Sequence, residues 1–546
     1  MSLFSRLMAR LYKLPAAQTY DIVVDKRLEA SMPDGVILRA DRFSPRHGQR
    51  FPTVLIRTPY GRAGNGVLGQ LLAERGFQVV IQSCRGTDDS GGEFTPFRGE
   101  REDGLASIAW LKQQEWFDGR LAMTGPSYLG FTQWAVAHDA GPVLKALCIQ
   151  VSSSEFRSVM YPGESFQLAI FVQWMHTTLS FRGSLAHIVW SMLTAPRRLK
   201  AALWQLPLSR ADRIVTGKTM PFWQDWLTHT EPGDPWWATE DFSGGVAAVT
   251  APIHLTSGWY DFMLRELLRD YSALQQAGRH PFLTIGPWSH SSNGLFEVSL
   301  SESLLWLRAH LLGEQSVLRT SPVRLYVMGA NEWRDLPTWP PSKTQPQRWY
   351  LQPEALLTTV LPPTSFASTF HYDPADPTPS VGGATNAMLG WGTGARDNRR
   401  IEARPDVLVF TSIPLEHDLE VIGPVSAELF VRSTREDTDF FVRLCDVRPS
   451  GTSMNVCDGI LRLSPGKPAH EEDGCRRIGV ELWPTAYRFK RGHRLRVQIS
   501  SGAFPRFARN LGTGEPLTTG TTMRKAEQQV YHDPGHPSAI MLPVMT

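Results

Sequence analysis

The sequence predicts an α/β domain over residues 1–318, built on a mostly parallel, doubly wound sheet with a helical insertion, followed by an all-β sandwich over 319–546. Three observations carry this. Short apolar runs alternate with amphipathic helical segments as far as residue 152. A Trp-, Phe-, Met- and His-rich stretch with helical spacing occupies 153–245, and the alternation then resumes over 246–318. From about 320 onward, short alternating runs such as VRLYVMG, DVLVFTS, SAELFVRS and RLRVQISS are separated by Pro, Gly and Asp turns.

Between Tyr20 and Pro45 the alternation is that of two strands joined by the turn Met32–Val36. TVLIRTPY (53–60) and QVVIQSCRG (78–86) are continuous apolar runs, the pattern of strands buried on both faces. Between them VLGQLLAERG (67–76) has helical spacing and ends on Gly76, a C-cap residue. A helix over 102–116, a strand at LAMTG (121–125), a helix over 131–141 and a strand over 144–152 follow. Beyond the insertion, strands at 251–259 and 281–288 flank a helix over 264–278, and a last helix spans 302–313. An insertion placed between strands of such a sheet forms a cap over the sheet's C-terminal edge, where open α/β sheets bind ligands.

Composition excludes several classes. The net charge is +3 without a long basic run, so no nucleic-acid surface is expected. Five scattered cysteines without C-x-x-C spacing argue against a disulfide framework or zinc site and point to a reducing, cytoplasmic setting. The apolar run LAIFVQWM (168–175) is far shorter than the ~20 residues that span a bilayer. The opening MSLFSRLMARLYKLPAAQ lacks a continuous apolar core and reads as a short surface helix. GRAGNG (61–66) lacks nucleotide-binding spacing, DDSGGE (88–93) lacks calcium-loop spacing, and no metal-ligand set or cofactor motif is present.

G-x-S occurs at Gly125-Pro-Ser127, Gly163-Glu-Ser165 and Gly451-Thr-Ser453. Only Ser127 has an apolar strand before it and a helix after it, the context in which a sharp turn exposes a nucleophilic hydroxyl. A serine nucleophile needs a base and a group that orients that base. Asp261 follows one later strand, in TSGWYDFM, and His290 follows the next, in IGPWSHSSNG. Ser, Asp, His in that chain order, each past a strand end, is the order of an α/β-hydrolase.

With these motifs the chain resembles the X-Pro dipeptidyl-peptidase/cocaine esterase family of α/β-hydrolases, whose elbow reads G-x-S-Y-x-G. RTPYGR, CRGTDDSGGEF, the stretch EDGLASIAWLKQQEWFDGRLAMTGPSYLG, GWYD and GPWSH carry the likeness, and YDPADPTPSVGG, RPDVLVF and TDFFVRLCDVRPSG resemble the family's jelly-roll domain. The resemblance implies Ser127 as nucleophile, Asp261 as orienting acid and His290 as general base. It also implies an oxyanion hole made by the Tyr60 hydroxyl and the Tyr128 backbone N–H, and a homodimer. No cofactor is implied.

The α-amino-acid ester hydrolases of this family carry carboxylates just after the Asp, whereas here Asp261 is followed by Phe262, Met263 and Leu264. An apolar wall favours an uncharged acyl group. Phe166, Phe171, Trp174, Met175, Trp190, Trp259 and Phe262 are the candidates for lining such a pocket, and core packing is the alternative for each. The expected function is therefore a serine hydrolase of small-molecule esters, or of amides, with an apolar or aromatic part. Two alternatives stand beside it. An X-Pro dipeptidyl-peptidase would need an acidic subsite, for which Glu155 and Glu164 are candidates, and a non-catalytic binder would act through the jelly roll.

Overall fold

In a computed structural model the protein is described over residues 2–48, 50–180, 185–386, 392–466, 470–472 and 474–546. A helix α1 (Ser2–Leu11) precedes the hairpin β1 (Ile22–Ser31) and β2 (Ile37–Pro45), closed where the Met32 N–H donates to the Val36 carbonyl at 2.8 Å. β3 (Thr53–Thr58), α2 (Gly66–Ala73), β4 (Gln78–Ser83), α3 (Glu100–Lys112), β5 (Leu121–Pro126), α4 (Tyr128–Ala137) and β6 (Leu144–Gln150) follow. Every residue of β3 and β4 is buried, as continuous apolar runs require of strands covered on both faces.

An inserted segment then carries α5 (Arg157–Met160), α6 (Leu168–Ser180), α7 (Leu185–Trp204), α8 (Ala211–Thr216) and α9 (Pro221–Thr228). Its aromatic richness goes into packing: Trp223 and Trp226 are fully buried, with ring contacts to Phe166 and Phe171 respectively. These residues share one apolar cluster with Ile56, Tyr128 and Phe131, so the insertion sits directly on the sheet domain. The chain returns to the sheet with β7 (Ile253–Tyr260), α10 (Leu264–Gln276), β8 (Phe282–Ser289) and α11 (Asn293–Leu311).

Two further strands, β9 (Val323–Val327) and β10 (Glu332–Leu336), complete a ten-stranded sheet in the order β1-β2-β4-β3-β5-β6-β7-β8-β9-β10. From β4 to β9 all neighbours are parallel. This corrects the assignment of VRLYVMG to the sandwich. Its alternation is real, but Val323, Leu325 and Val327 are fully buried in the first sheet's core, and β9 pairs in parallel with Leu283–Ile285 of β8.

The remainder is all-β. One sheet runs through Thr344–Leu351, Ala539–Met545, Ser426–Ser433 and Cys475–Glu481. A four-stranded sheet is ordered Leu408–Thr411, Arg494–Ser500, Thr438–Val447, Ser453–Leu463. Among the described residues the pairings between these strands are antiparallel, and both sheets contribute to one core through residues such as Leu429 and Val442. Among the described residues no helix is long and apolar enough to cross a membrane.

Candidate active site

Ser127 occupies the turn between β5 and α4 with φ +58° and ψ −122°, a conformation a β-carbon disfavours. Its N–H donates to the Gln150 carbonyl at 2.9 Å, and its carbonyl accepts from the N–H groups of Gly130 and Phe131 at 2.8 and 3.0 Å. Two glycines make this turn fit. A β-carbon on Gly125, at φ +149°, would lie 2.5 Å from Cβ of Leu129, and one on Gly130 would lie 2.4 Å from Cβ of Ser152. The glycine that comes one residue late in GPSYLG is thus where α4 crosses the end of β6. Leu129, at the usual glycine position, occupies the space that Gly125 leaves.

Tyr128 opens α4, where the first N–H groups have no partner within the helix. Its side chain enters a buried network: the hydroxyl donates to Glu100 Oε1 at 2.7 Å and accepts from the Phe97 N–H at 2.8 Å. Glu100 is in turn paired with the fully buried Arg57 at 2.7 Å. Burial first, and then the Glu100 carboxylate, hold the Tyr128 phenol well above its ordinary pKa.

His290 Nδ1 lies 2.6 Å from Asp261 Oδ2. Asp261 is fully buried in the loop after β7, and its second oxygen accepts from the Met263 N–H at 2.7 Å. The carboxylate is therefore held on both oxygens, and the imidazole engages it through Nδ1. The Phe262 ring packs on the imidazole, with centroids 4.4 Å apart.

Tyr60 lies two residues past the end of β3. Its hydroxyl accepts from the Trp174 indole N–H at 3.0 Å and interacts with the Ser127 hydroxyl. The residue is 42% exposed, but that surface faces a protein-walled cavity, and desolvation there pushes its pKa up to about 12. The Tyr60 phenol is therefore protonated at neutral pH.

Ser127, His290, Tyr60 and Tyr128 line one cavity of about 260 Å³. Of the sequence candidates for its walls, Phe171, Trp174 and Phe262 line it. Phe166, Met175 and Trp259 do not. Phe166 is fully buried against Tyr161 and Trp223, and Met175 points from α6 into the apolar cluster. Trp259 packs against Trp339 and donates to the Tyr326 carbonyl at 2.7 Å. The side chain of Trp190 lies outside the described residues. Met263, part of the apolar wall expected after Asp261, lines the cavity too; missed from the sequence were Ile170, Gln173, Thr177 and Thr178, which lie on α6 with Phe171 and Trp174, and also Phe97, Phe156, Phe296 and Asn386. Spacing of three and four from Trp174 would have found Ile170, Thr177 and Thr178, though not Gln173. The residues off α6 come from four separate loops and helix starts, which no local pattern connects.

No Asp or Glu is among the cavity-lining residues described. Glu164 instead pairs with Arg157 at 2.6 Å, and Glu155 accepts from the Ser158 N–H at 2.8 Å with Arg269 3.7 Å away. Cys84, at the end of β4, is a fully buried thiol whose pKa burial raises well above its ordinary value, so it is no second nucleophile.

A parallel sheet with a strained serine turn after one strand, and an Asp–His pair after two later ones, defines an α/β-hydrolase. Comparison with known proteins narrows the class. Residues 34–292 match the model of the X-Pro dipeptidyl-peptidase (S15) family, and residues 316–541 match that of the X-Pro dipeptidyl-peptidase C-terminal non-catalytic domain. Cocaine esterase of Rhodococcus sp. (strain MB1 Bresler) is 32% identical over 561 aligned positions, spanning 94% of this chain and 97% of that protein. Among solved structures, an α-amino acid ester hydrolase superposes with a TM-score of 0.81 at 23% identity, over 97% of this chain and 98% of that one. An aminopeptidase from a marine sediment archaeon, Thaumarchaeota archaeon, also reaches 0.81 at 22% identity, over 97% and 98%. These last two share the fold. The chain belongs to the X-Pro dipeptidyl-peptidase (S15) family and is a serine ester hydrolase.

Proposed function

We propose that the protein cleaves uncharged carboxylic esters with an apolar or aromatic part, with Ser127 as nucleophile, His290 as general base and Asp261 as the group that orients it. His290 Nε2 takes the Ser127 proton as Oγ attacks the carbonyl carbon. The oxyanion that forms is met by the Tyr60 hydroxyl and the Tyr128 N–H, and collapse expels the alcohol as His290 returns the proton to it. Water, deprotonated by the same imidazole, then releases the acid and regenerates Ser127. Asp261 holds the imidazole tautomer and stabilises the imidazolium.

The observation that carries the substrate class is the cavity wall. It is mostly aromatic and aliphatic, with uncharged polar residues such as Gln173, Thr177 and Asn386, and no Asp or Glu is among the described residues that line it. A peptidase that reads a free N-terminus needs such a partner, so this wall favours esters over X-Pro dipeptides. The name of the Rhodococcus relative, an esterase, supports the same reading. The five cysteines, all buried and unpaired, support a reducing compartment such as the cytoplasm.

Fluorophosphonate labelling of the wild type and of Ser127→Ala tests the nucleophile, and equal labelling of both would remove Ser127 from the role. Acetyl and butyryl aryl esters assayed beside Ala-Pro and Gly-Pro anilides test the substrate class. Turnover of the anilides alone would overturn it.

A further inference from the structure

A second cavity, of about 330 Å³, lies beside the first and shares Pro126 and Phe296 with it as common walls. Pro126 is the residue before Ser127, and Phe296 stands in the first turn of α11, half exposed between the two spaces. The rest of the wall comes from the helices that follow the site's own loops. Gly64, Val67 and Leu68 belong to the segment after Tyr60, and Leu295, Ser299 and Leu300 to the segment after His290. The N-terminal helix α1 closes the far side with Met8, and just beyond its end Tyr12 does the same. The helix is held there by the Ser5 hydroxyl on Glu74 and by Lys13 paired with Glu297 of α11 at 3.6 Å.

The interior of this cavity is apolar. The one amide that enters it, Gln150, is engaged by the Cys148 carbonyl at 3.1 Å and the Ser303 hydroxyl at 3.0 Å. The hydroxyl of Ser299, a residue 8% exposed, is buried without a partner in that wall. An apolar engineered cavity of about 150 Å³ is enough to take up benzene. A space more than twice that size, left open against Pro126, forgoes packing that a folded core would otherwise gain.

We propose that this cavity receives the long aliphatic arm of an ester whose carbonyl is seated at Ser127, with Phe296 as the partition the chain passes. It rests on the serine esterase reading above and extends it from short or aromatic esters to medium- and long-chain ones. The apolar walls bind the methylenes.

The test is a chain-length series in two arms: p-nitrophenyl esters from acetyl to dodecanoyl, and acetates of alcohols from ethanol to dodecanol followed by acid release. Burial of each methylene in an apolar site gains roughly fourfold, so the six methylenes added between two carbons and eight should raise kcat/KM by about 4 × 10³ in the arm that enters the cavity. Ser299→Phe, which fills the space, should cut the eight-carbon value at least tenfold while acetyl ester hydrolysis stays within about twofold. Val67→Phe fills it from the opposite, more exposed wall and should do the same, so a folding defect in one variant does not decide the matter. Acetyl ester turnover reports the intact site in each case. A gain in the acyl arm or in the alcohol arm locates the chain. A flat profile in both arms, or equal loss on acetyl and octanoyl esters in both filled variants, would overturn the proposal while leaving Ser127-dependent acetyl hydrolysis as it stands. Absence of any Ser127-dependent ester hydrolysis would instead remove the esterase reading itself.

Discussion

The indole N–H of Trp483, in the C-terminal domain, donates to the backbone carbonyl of Asp261 at 2.9 Å. Trp483 is fully buried, and its ring is faced by the Arg506 guanidinium at 4.8 Å and the Arg265 guanidinium at 5.3 Å. Its own N–H donates to the carbonyl of Asp458, a buried carboxylate held by Arg443 and Arg506 at 2.9 and 2.5 Å. A chain of fixed groups therefore runs from the core of the all-β domain to the loop whose carboxylate orients His290. Buried ion pairs contribute little net stability once desolvation is counted.

Trp483→Phe keeps the ring and deletes the N–H. The expected outcome is a fall of about tenfold in kcat with KM within twofold, the scale of one hydrogen bond acting on the geometry of the Asp261 loop. Steady-state kinetics beside a thermal melt checks it. Loss of melting temperature with unchanged kcat would mean that the contact only joins the domains.

On the proposed role of Tyr60 as an oxyanion-hole donor, Tyr60→Phe should lower kcat by ~10²–10³, because such a donor acts on charge that exists only in the transition state. Trp174→Phe should give a smaller fall, since it removes the group that fixes the Tyr60 hydroxyl and leaves the hydroxyl in place. With the Tyr60 pKa near 12, the Tyr60→Phe deficit should stay constant from pH 6 to 9. A deficit that shrinks steadily toward pH 9 would show that Tyr60 ionises in the working range.

The fold was legible from the sequence where pattern and burial coincide. The apolar runs at 53–58 and 78–83 are strands covered on both faces, and the Ser127, Asp261, His290 order follows from strand ends. The strand at Val323 was misassigned because alternation gives a strand but not the sheet it joins, which depends on a partner forty residues earlier in the chain. The cavity walls were half legible for a similar reason. An aromatic residue in a helical insertion reads alike whether it meets solvent space, as Trp174 does, or another ring, as Phe166 does. Trp483, more than 200 residues from Asp261, left no sequence signal at all.

The late glycine of GPSYLG makes a specific steric claim. Gly130→Ala places a β-carbon 2.4 Å from Cβ of Ser152, which must push α4 off the end of β6 and move the Tyr128 N–H with it. Overpacking of this kind costs about 1–3 kcal/mol, so both melting temperature and kcat should fall. Ser152→Gly removes the opposing atom, and the double variant should regain most of both. If Ser152→Gly gives no recovery, the glycine is required for another reason.

Asp270, on α10, is buried with its two oxygens on the Ser154 N–H and hydroxyl at 2.9 and 2.5 Å. Burial is the largest influence on it, and Glu266 adds to it. Together they outweigh Ser154 and Arg269 and push its pKa up to about 7. An acid whose pKa is raised on folding binds a proton in the native state that the unfolded chain has already released. Between about pH 4 and pH 7 the unfolded state therefore holds fewer protons, and stability falls as pH rises through that window. The penalty is fully present above pH 7 and is on the order of 2–4 kcal/mol. Asp270→Asn keeps a carbonyl for the Ser154 N–H and carries no charge. Denaturant unfolding of both proteins from pH 4.5 to 8.5 should show the variant gaining on the wild type as pH rises, with little difference at the acid end. Parallel stability curves would show that Asp270 stays ionised in the folded protein.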